Sequence, residues 1–380
     1  MRIIYIANAR IPTEKAHGLQ IVKMCEAFAL QGAEVTLVVP HRKGTVLSDP
    51  FSYYSIEKKF SIKYLPILET YTWGYLGFIL GSCSFAISSY VYCLYRQIKD
   101  SKLIFYSRDQ DQFSFFPFFF GLRPYFFEIH GCKKKSFFHK KLFKNIKGVI
   151  ATNSFIKEKL SENFPRISDR IILLPNGVDT REFIPSDKDE ARRTLSLPLL
   201  NTIILYAGHF YAWKGVDTLV DAAPLLSADK SVYLVGGHDE DIQRLKKTNP
   251  QAAERVTFIG FRPHSEIPVW YSAADVLVIT GTAKDADSVH YTSPIKLFEY
   301  MAMGRPIVAV DSPALRDIVS EHEVYFYKPD DATSLAQAVN QVLADKSVAT
   351  QKALSARNKV EQYSWNNRAR QIIKFMHNAI

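Results

Sequence analysis

Apolar residues recur along the chain in short runs separated by segments of helical period. Residues 3–7 (IIYIA) form the first run. A polar loop follows, then Leu19 to Gln31, where Ile21, Met24, Cys25 and Phe28 repeat at the spacing of one helix face. Gly32 stands where a C-cap glycine ends a helix, and Glu34 to Pro40 (EVTLVVP) reads as a buried strand. Strand, helix, strand in this order predicts a parallel sheet with helices on its faces. Further strands are expected at 103–106, 125–129, 148–152 and 171–174.

The pattern restarts after a polar stretch, Pro185 to Leu197 (PSDKDEARRTLSL). Strands are expected at 202–207, 231–235, 256–259, 276–279, 307–310 and 324–327, with helices at 217–226, 295–303 and 334–344. Residues 365–380 are helical in period and basic. The fold class predicted is α/β: two Rossmann-like, doubly wound parallel-sheet domains. They span 1–190 and 191–364, with the helix at 365–380 packing back on the first. Ligands bind such sheets at the carboxyl ends of their strands. Two domains hinged near 185–200 would set two loop-lined edges across one cleft, one substrate to each.

The 380 residues suffice for two domains. Four cysteines without a C-x-x-C pair support neither a zinc site nor a disulfide framework, which favours a reducing setting. The N-terminus lacks the features of a signal peptide. The expected location is therefore cytoplasmic, peripheral on the inner face of the cell membrane.

The net charge of +10 is unevenly spread. No acidic residue lies between Glu128 and Glu158. That gap holds Lys133, Lys134, Lys135, Lys140, Lys141, Lys144 and Lys147, mixed with Phe137, Phe138 and Phe143. Lysines among aromatics suit an anionic membrane surface. No nucleic-acid motif accompanies them, so a nucleic-acid partner is not expected. Residues 70–95 carry no charge; their Ser, Gly and Tyr content predicts a buried core helix with an interfacial edge rather than a spanning one. A Phe-rich run at 113–122 is too short to span.

Two absences narrow the chemistry. The first strand is followed by ANARIPTEKAHGLQ without G-x-G-x-x-G, which argues against a dehydrogenase. No G-x-x-x-x-G-K-[ST] occurs, which argues against a P-loop NTPase.

Residues 292–319 carry the strongest local signal. Ser293 fits an N-cap and Pro294 a first helical position, and Gly304 with Pro306 ends the helix. Lys296 in the first turn opposes the helix dipole, a cost a bound phosphate would offset. Glu299, one turn on, would reach a ribose diol. The same residues fit an ordinary amphipathic helix with Lys296 and Glu299 exposed. Residues 203–222 give the second signal: a strand ends at Gly208, and Lys214-Gly215 precede a helix capped around Asp217.

AGHFYAWKGVDTL, VTFIGFRPHSEIPVWYSAADVLV, SPIKLFEYMAMGRPIVA and LPNGVDTREF together resemble the retaining GT4 glycosyltransferases of GT-B fold. That resemblance implies sugar transfer from a nucleotide-diphosphate-sugar donor to a glycan or lipid-linked acceptor, in cell-envelope or polysaccharide biosynthesis. It also implies retention by front-face attack, with no metal and no cofactor. Asp285-Ala286-Asp287 has a metal-binding spacing without that role. Lys214 matches the lysine that binds the donor diphosphate. Gly208 lies in the same loop, and His209 replaces the family's arginine. Glu299 matches the second glutamate of E-x7-E, on the ribose; Tyr291 stands where the first would be. Ser293, Pro294 and Ile295 match the loop whose amides meet phosphate, and Gly260, Phe261 and Arg262 the loop beside the nucleobase. In the first domain, His130 resembles the histidine near the transferred sugar, and His17 and Gly18 the small-residue loop near diphosphate and acceptor. Arg108 and Asp109 are expected on the acceptor. Catalysis is assigned to His130, Lys214 and Glu299. The alternatives are a non-catalytic nucleotide-sugar-binding subunit, or another GT-B enzyme such as an epimerase.

Overall fold

A computed structural model of the chain describes residues 1–42, 48–109, 116–131 and 136–380. The chain forms two compact units, Met1–Asn176 with Trp365–Ile380, and Gly177–Ser364. The first is built on a seven-stranded sheet in the order β3-β2-β1-β4-β5-β6-β7. Its strands are β1 (Arg2–Ile6), β2 (Glu34–Pro40), β3 (Ser61–Leu65), β4 (Leu103–Ser107), β5 (Tyr125–Ile129), β6 (Gly148–Ala151) and β7 (Ile171–Leu173). All neighbours run parallel. The second unit has six parallel strands in the order β10-β9-β8-β11-β12-β13. They are β8 (Thr202–Ala207), β9 (Lys230–Val235), β10 (Val256–Gly260), β11 (Val276–Ile279), β12 (Ile307–Val310) and β13 (Tyr325–Tyr327).

Central strands such as β4, β5 and β11 are buried at every position, which is why they read as unbroken apolar runs. The pattern missed β3. SIKYL is an edge strand with only Leu65 buried, so it lacks the apolar run that marked the others. Strand order reverses between β1 and β4 and between β8 and β11. Those two switch points are where loops of open α/β sheets splay apart to admit ligands.

Four expectations change. The first helix covers Ala16–Leu30, so His17 and Gly18 lie in its first turn rather than in a loop. A Cβ on Gly18 would stand 2.4 Å from the Thr13 side chain and 2.5 Å from the Tyr54 hydroxyl, so only glycine fits that packing. The helix after Ser293 begins at Ile295, with Pro294 in extended conformation (φ −72°, ψ 120°) as its N-cap. Ser293 is thus one residue outside the cap. The second unit begins at Gly177, before the polar stretch, because Val178 and Phe183 pack into its core. The polar stretch itself contains a helix, Lys188–Thr194, pinned to the second unit by Asp275. That carboxylate pairs with Lys188 (2.8 Å) and with buried Arg192 (2.6 Å), and accepts the Ile203 amide (2.8 Å).

The fourth change concerns the uncharged segment. It forms the Gly74–Lys99 helix, and only 39% of its most apolar window is buried. It is not a core helix. Among the described residues it is the one helix long and apolar enough to cross a membrane.

Candidate functional site

In the second unit, three loops meet at the carboxyl edge of the sheet. Gly208 follows β8 with a left-handed φ of +135°. Its carbonyl accepts the Gly237 amide (3.1 Å), and Gly260 accepts the Gly236 amide (2.7 Å). A Cβ on Gly236 would stand 2.4 Å from the Gly208 oxygen, so the close approach of these loops depends on glycine. Gly260 has φ +77°, and Phe261 and Arg262 beyond it are exposed.

Lys214 ends a short helical turn, Ala212–Lys214, closed by Gly215 in the left-handed region. A Cβ on Gly215 would stand 2.4 Å from the Gly281 oxygen. Thr280 at the end of β11 donates its hydroxyl to the Lys214 carbonyl (2.6 Å). The lysine is thereby fixed at the β8/β11 switch point. Its Nζ lies 3.7 Å from the centre of the Trp213 ring. Lys296, from the first turn of the Ile295–Ala302 helix, sets its Nζ 3.6 Å from the centre of the Tyr206 ring. That same Nζ lies 3.0 Å from where a Cβ on Gly208 would be. Lys214 and Lys296 line one small cavity with Trp213, Ser288, Thr292 and Pro294.

Neither lysine forms an ion pair among the described residues. Burial lowers the Lys214 pKa to about 8 against the opposing pull of Asp287. Burial and the neighbouring Lys214 push Lys296 well below the usual lysine range. Two partly buried lysines thus share a cavity with no ion-pair partner among the described residues, although Asp287 acts on Lys214 and Glu299 on Lys296 from farther off, and such a pair can accept an anion. The N-terminus of the adjoining Ile295–Ala302 helix adds to that field.

His209 stacks on Tyr211, with ring centres 4.9 Å apart and planes 7° apart. Burial lowers its pKa, and His238, Lys296 and Lys214 lower it further, so it is a neutral donor near pH 7. Lys296 acts on His209, so a lysine from the Ile295–Ala302 helix stands beside the position where the family's arginine is absent.

Glu299 is buried, and both its oxygens are engaged. Oε1 meets His264 Nε2 at 3.0 Å, and Oε2 accepts the Tyr271 hydroxyl at 3.0 Å. The other nitrogen of His264 meets Glu182 at 3.1 Å. Burial opposes charge on His264, but the hydrogen bonds from Glu182 and Glu299 outweigh it and push its pKa up to about 9. His264 is therefore an imidazolium bridging two carboxylates. Tyr291, where a second glutamate would stand, ends a π-helical turn over Asp287–Tyr291 and is half-buried. Asp285 accepts the amides of Asp287 (2.8 Å) and Ser288 (3.3 Å), which makes it a cap for that turn. Among the described residues no group of three His, Cys, Asp or Glu side chains is placed to hold a metal ion.

In the first unit, the expected residues gather around a carboxylate that the pattern did not single out. Glu128 is fully buried on β5. It accepts from Gln20 (2.8 Å), Tyr106 and Arg368 (3.0 Å), and meets His130 Nε2 at 2.6 Å. Burial opposes its charge, but Arg368 and His130 hold its pKa well below the carboxylate range. Since an ionised carboxylate only accepts, His130 carries its proton on Nε2. Burial and Arg108 lower the His130 pKa to about 4. His17 falls to about 4 for the same two reasons, with Lys15 adding to them. Arg108 donates to Gln20 (2.5 Å), and Asp109 accepts the Asn8 amide (2.6 Å). The network thus joins His130, Arg108 and, through Arg368, the C-terminal helix.

The residues missed were Glu128, Arg368, His264 and Tyr271. A lone carboxylate in the apolar strand YFFEI was a readable sign for Glu128. The other three lie on ordinary amphipathic or polar stretches that carry no sign.

Residues 201–345 match the family model described as glycosyl transferases group 1. The chain is 26% identical over 246 residues to D-inositol 3-phosphate glycosyltransferase 1 of Catenulispora acidiphila, covering 61% of this chain and 57% of that one. It is 25% identical over 226 residues to a putative teichuronic acid biosynthesis glycosyltransferase, TuaC, of Bacillus subtilis, covering 57% of this chain and 54% of the other. The chain thus spans little more than half the length of these curated relatives. Among solved structures it is similar to Anabaena HepE in complex with UDP-glucose, with a TM-score of 0.77, 17% identity and all of both chains covered. The chain has the GT-B fold, and its residues 201–345 are similar to the glycosyl transferases group 1 family.

Proposed function

We propose that this protein is a glycosyltransferase that takes a sugar from a nucleoside-diphosphate donor held by the second unit. The observation that carries this reading is the pair of lysines, Lys214 and Lys296, in one cavity at the β8/β11 switch point with no ion pair among the described residues. As the glycosidic bond breaks, negative charge grows on the leaving diphosphate. Fixed ammonium groups and the backbone amides of Ser293 and Ile295 stabilise that charge without reorganising. Glu299, its oxygens set by His264 and Tyr271, receives the ribose, and Gly260, Phe261 and Arg262 flank the base. His130, neutral and oriented by Glu128, faces the transferred sugar. His17, Gly18, Arg108 and Asp109 meet the acceptor.

The transfer proceeds with retention and needs no metal, since lysines take the place of a cation on the leaving group. The acceptor is a glycan or lipid-linked sugar of cell-envelope or polysaccharide assembly, which agrees with TuaC among the relatives. An anionic membrane surface is the second partner. Lys140, Lys141, Lys144 and Lys147 are exposed for it; Lys133, Lys134 and Lys135 lie outside the described residues, as do Phe113 and Phe115 of the Phe-rich run.

A thermal-shift series with UDP-, GDP- and ADP-sugars tests the donor site, because a ligand bound only by the folded state raises the melting temperature. One nucleotide sugar stabilises the protein on this reading, and turnover persists in EDTA. No shift with any of them removes it. Tyr291 in place of a carboxylate favours one rival, a non-catalytic binding subunit. That rival predicts a shift with no transfer to any acceptor.

A further inference from the structure

We propose that the Gly74–Lys99 helix lies in the plane of an anionic bilayer and is the element by which the first unit docks there. This deepens the membrane reading above and does not depend on the donor reading. The helix is about 39 Å long and two-faced. Leu76, Leu80, Ile87, Val91 and Ile98 share one side by helical spacing, and all are exposed. Leu76 and Ile98 are 71% and 78% exposed, and Trp73 just before the helix is 70%. The opposite side is made of smaller groups around one ring: Gly81, Phe85, Ser89 and Cys93, all buried.

The buried side is why the helix does not span. Thr70 donates to the Gly77 carbonyl (2.8 Å), Asn8 to the Ser82 hydroxyl (3.3 Å) and Tyr90 to the Phe120 carbonyl (3.0 Å). A Cβ on Gly77 would lie 1.7 Å from the Thr70 oxygen. The helix is therefore tied to its unit along its length, with half its circumference presenting large apolar groups. An apolar face of this extent marks a membrane or protein contact.

Charge selects the membrane. No Asp or Glu occurs from residue 70 to 99, nor from 129 to 157. Lys99 Nζ lies 4.3 Å from the Tyr95 ring centre, and Lys141 Nζ lies 4.8 Å from that of Phe119. Exposed Phe120 and Phe137 extend the apolar surface toward those lysines. A symmetric contact with a second copy would set the lysines beside this face against one another. Anionic headgroups complement it, and Trp and Tyr near the helix ends suit the headgroup level.

The test is flotation of the full chain with phosphatidylcholine vesicles, alone or with about 30% phosphatidylglycerol to supply surface charge. The protein should float with the anionic vesicles only, and less so at high salt. Leu76→Glu, Ile87→Glu and Val91→Glu together should reduce flotation about tenfold or more, since each removes an apolar anchor and adds repulsion. Lys140→Gln, Lys141→Gln and Lys144→Gln should remove its salt dependence. Circular dichroism and the thermal shift with UDP-glucose show whether both variants fold. Equal flotation of the Glu variant overturns the proposal. So does a wild-type dimer that ignores vesicles and that the Glu variant splits. Loss of the UDP-glucose shift with flotation intact would count against the donor reading alone.

Discussion

The two units solve the problem of burying charge in opposite ways. In the first, the buried carboxylate is fully engaged: Glu128 is held by Arg368, Tyr106, Gln20 and His130, and both site histidines are kept neutral. In the second, Lys214 and Lys296 converge without a counter-ion. A network complete in itself holds geometry, whereas two unpaired cations hold a place for a ligand. On the proposed function, charge stabilisation belongs to the second unit and orientation to the first. It also separates what mutations should do: second-unit changes should cost activity, and first-unit changes should cost stability.

The largest effect should come from Lys214→Ala, which lowers kcat/KM by about 10²–10³-fold, the range for losing one charge-stabilising donor. Its melting temperature in the absence of ligand should not fall, because a desolvated, unpaired ammonium is being removed. Steady-state rates and calorimetry on the same sample check both halves. Next is Arg368→Met, which leaves the buried Glu128 carboxylate without its guanidinium and should destabilise the fold by about 3–5 kcal/mol in urea titration. An unchanged midpoint would mean that the first-unit network holds nothing.

A smaller effect is expected from His264→Gln. The amide can reach one carboxylate but not bridge two, so Glu299 loses its fixed orientation. Donor KM should rise about tenfold with kcat little changed, as for the loss of binding shared by ground and transition states. A fall in kcat alone would point to a different role. The mildest test is pH. Anion binding needs protonated Lys214, whose pKa without ligand is about 8. Donor affinity should be full below that pH and decline above it, while Lys214→Ala shows no such decline.

Much of the fold was legible because parallel strands buried on both faces must be apolar throughout, and β1, β2, β8, β11 and β12 are. Edge strand β3 escaped because one-sided burial leaves no run to see. Lys214 and Gly208 were legible from a glycine-flanked loop after a strand. The nearness of Lys296 to position 209 was not, since the two positions lie far apart in sequence and meet only through the β8/β11 crossover. The Glu182–His264–Glu299 chain likewise joins three segments by contacts that no local pattern encodes. The Gly74–Lys99 helix was expected as a core helix with an interfacial edge; it has both faces, but the exposed one is larger than an edge, because composition does not tell how much of a helix is covered. The small residues at 77, 81 and 82 were the available sign.

The most direct measurement is isothermal titration of UDP into wild type, Lys214→Ala, Lys296→Ala and the double variant at pH 7. Each single change should weaken binding about tenfold, and the double change about a hundredfold, with the order of 1.4 kcal/mol per tenfold step. If the double variant binds UDP as tightly as wild type, the paired lysines do not hold a diphosphate, and the account of the second unit is wrong.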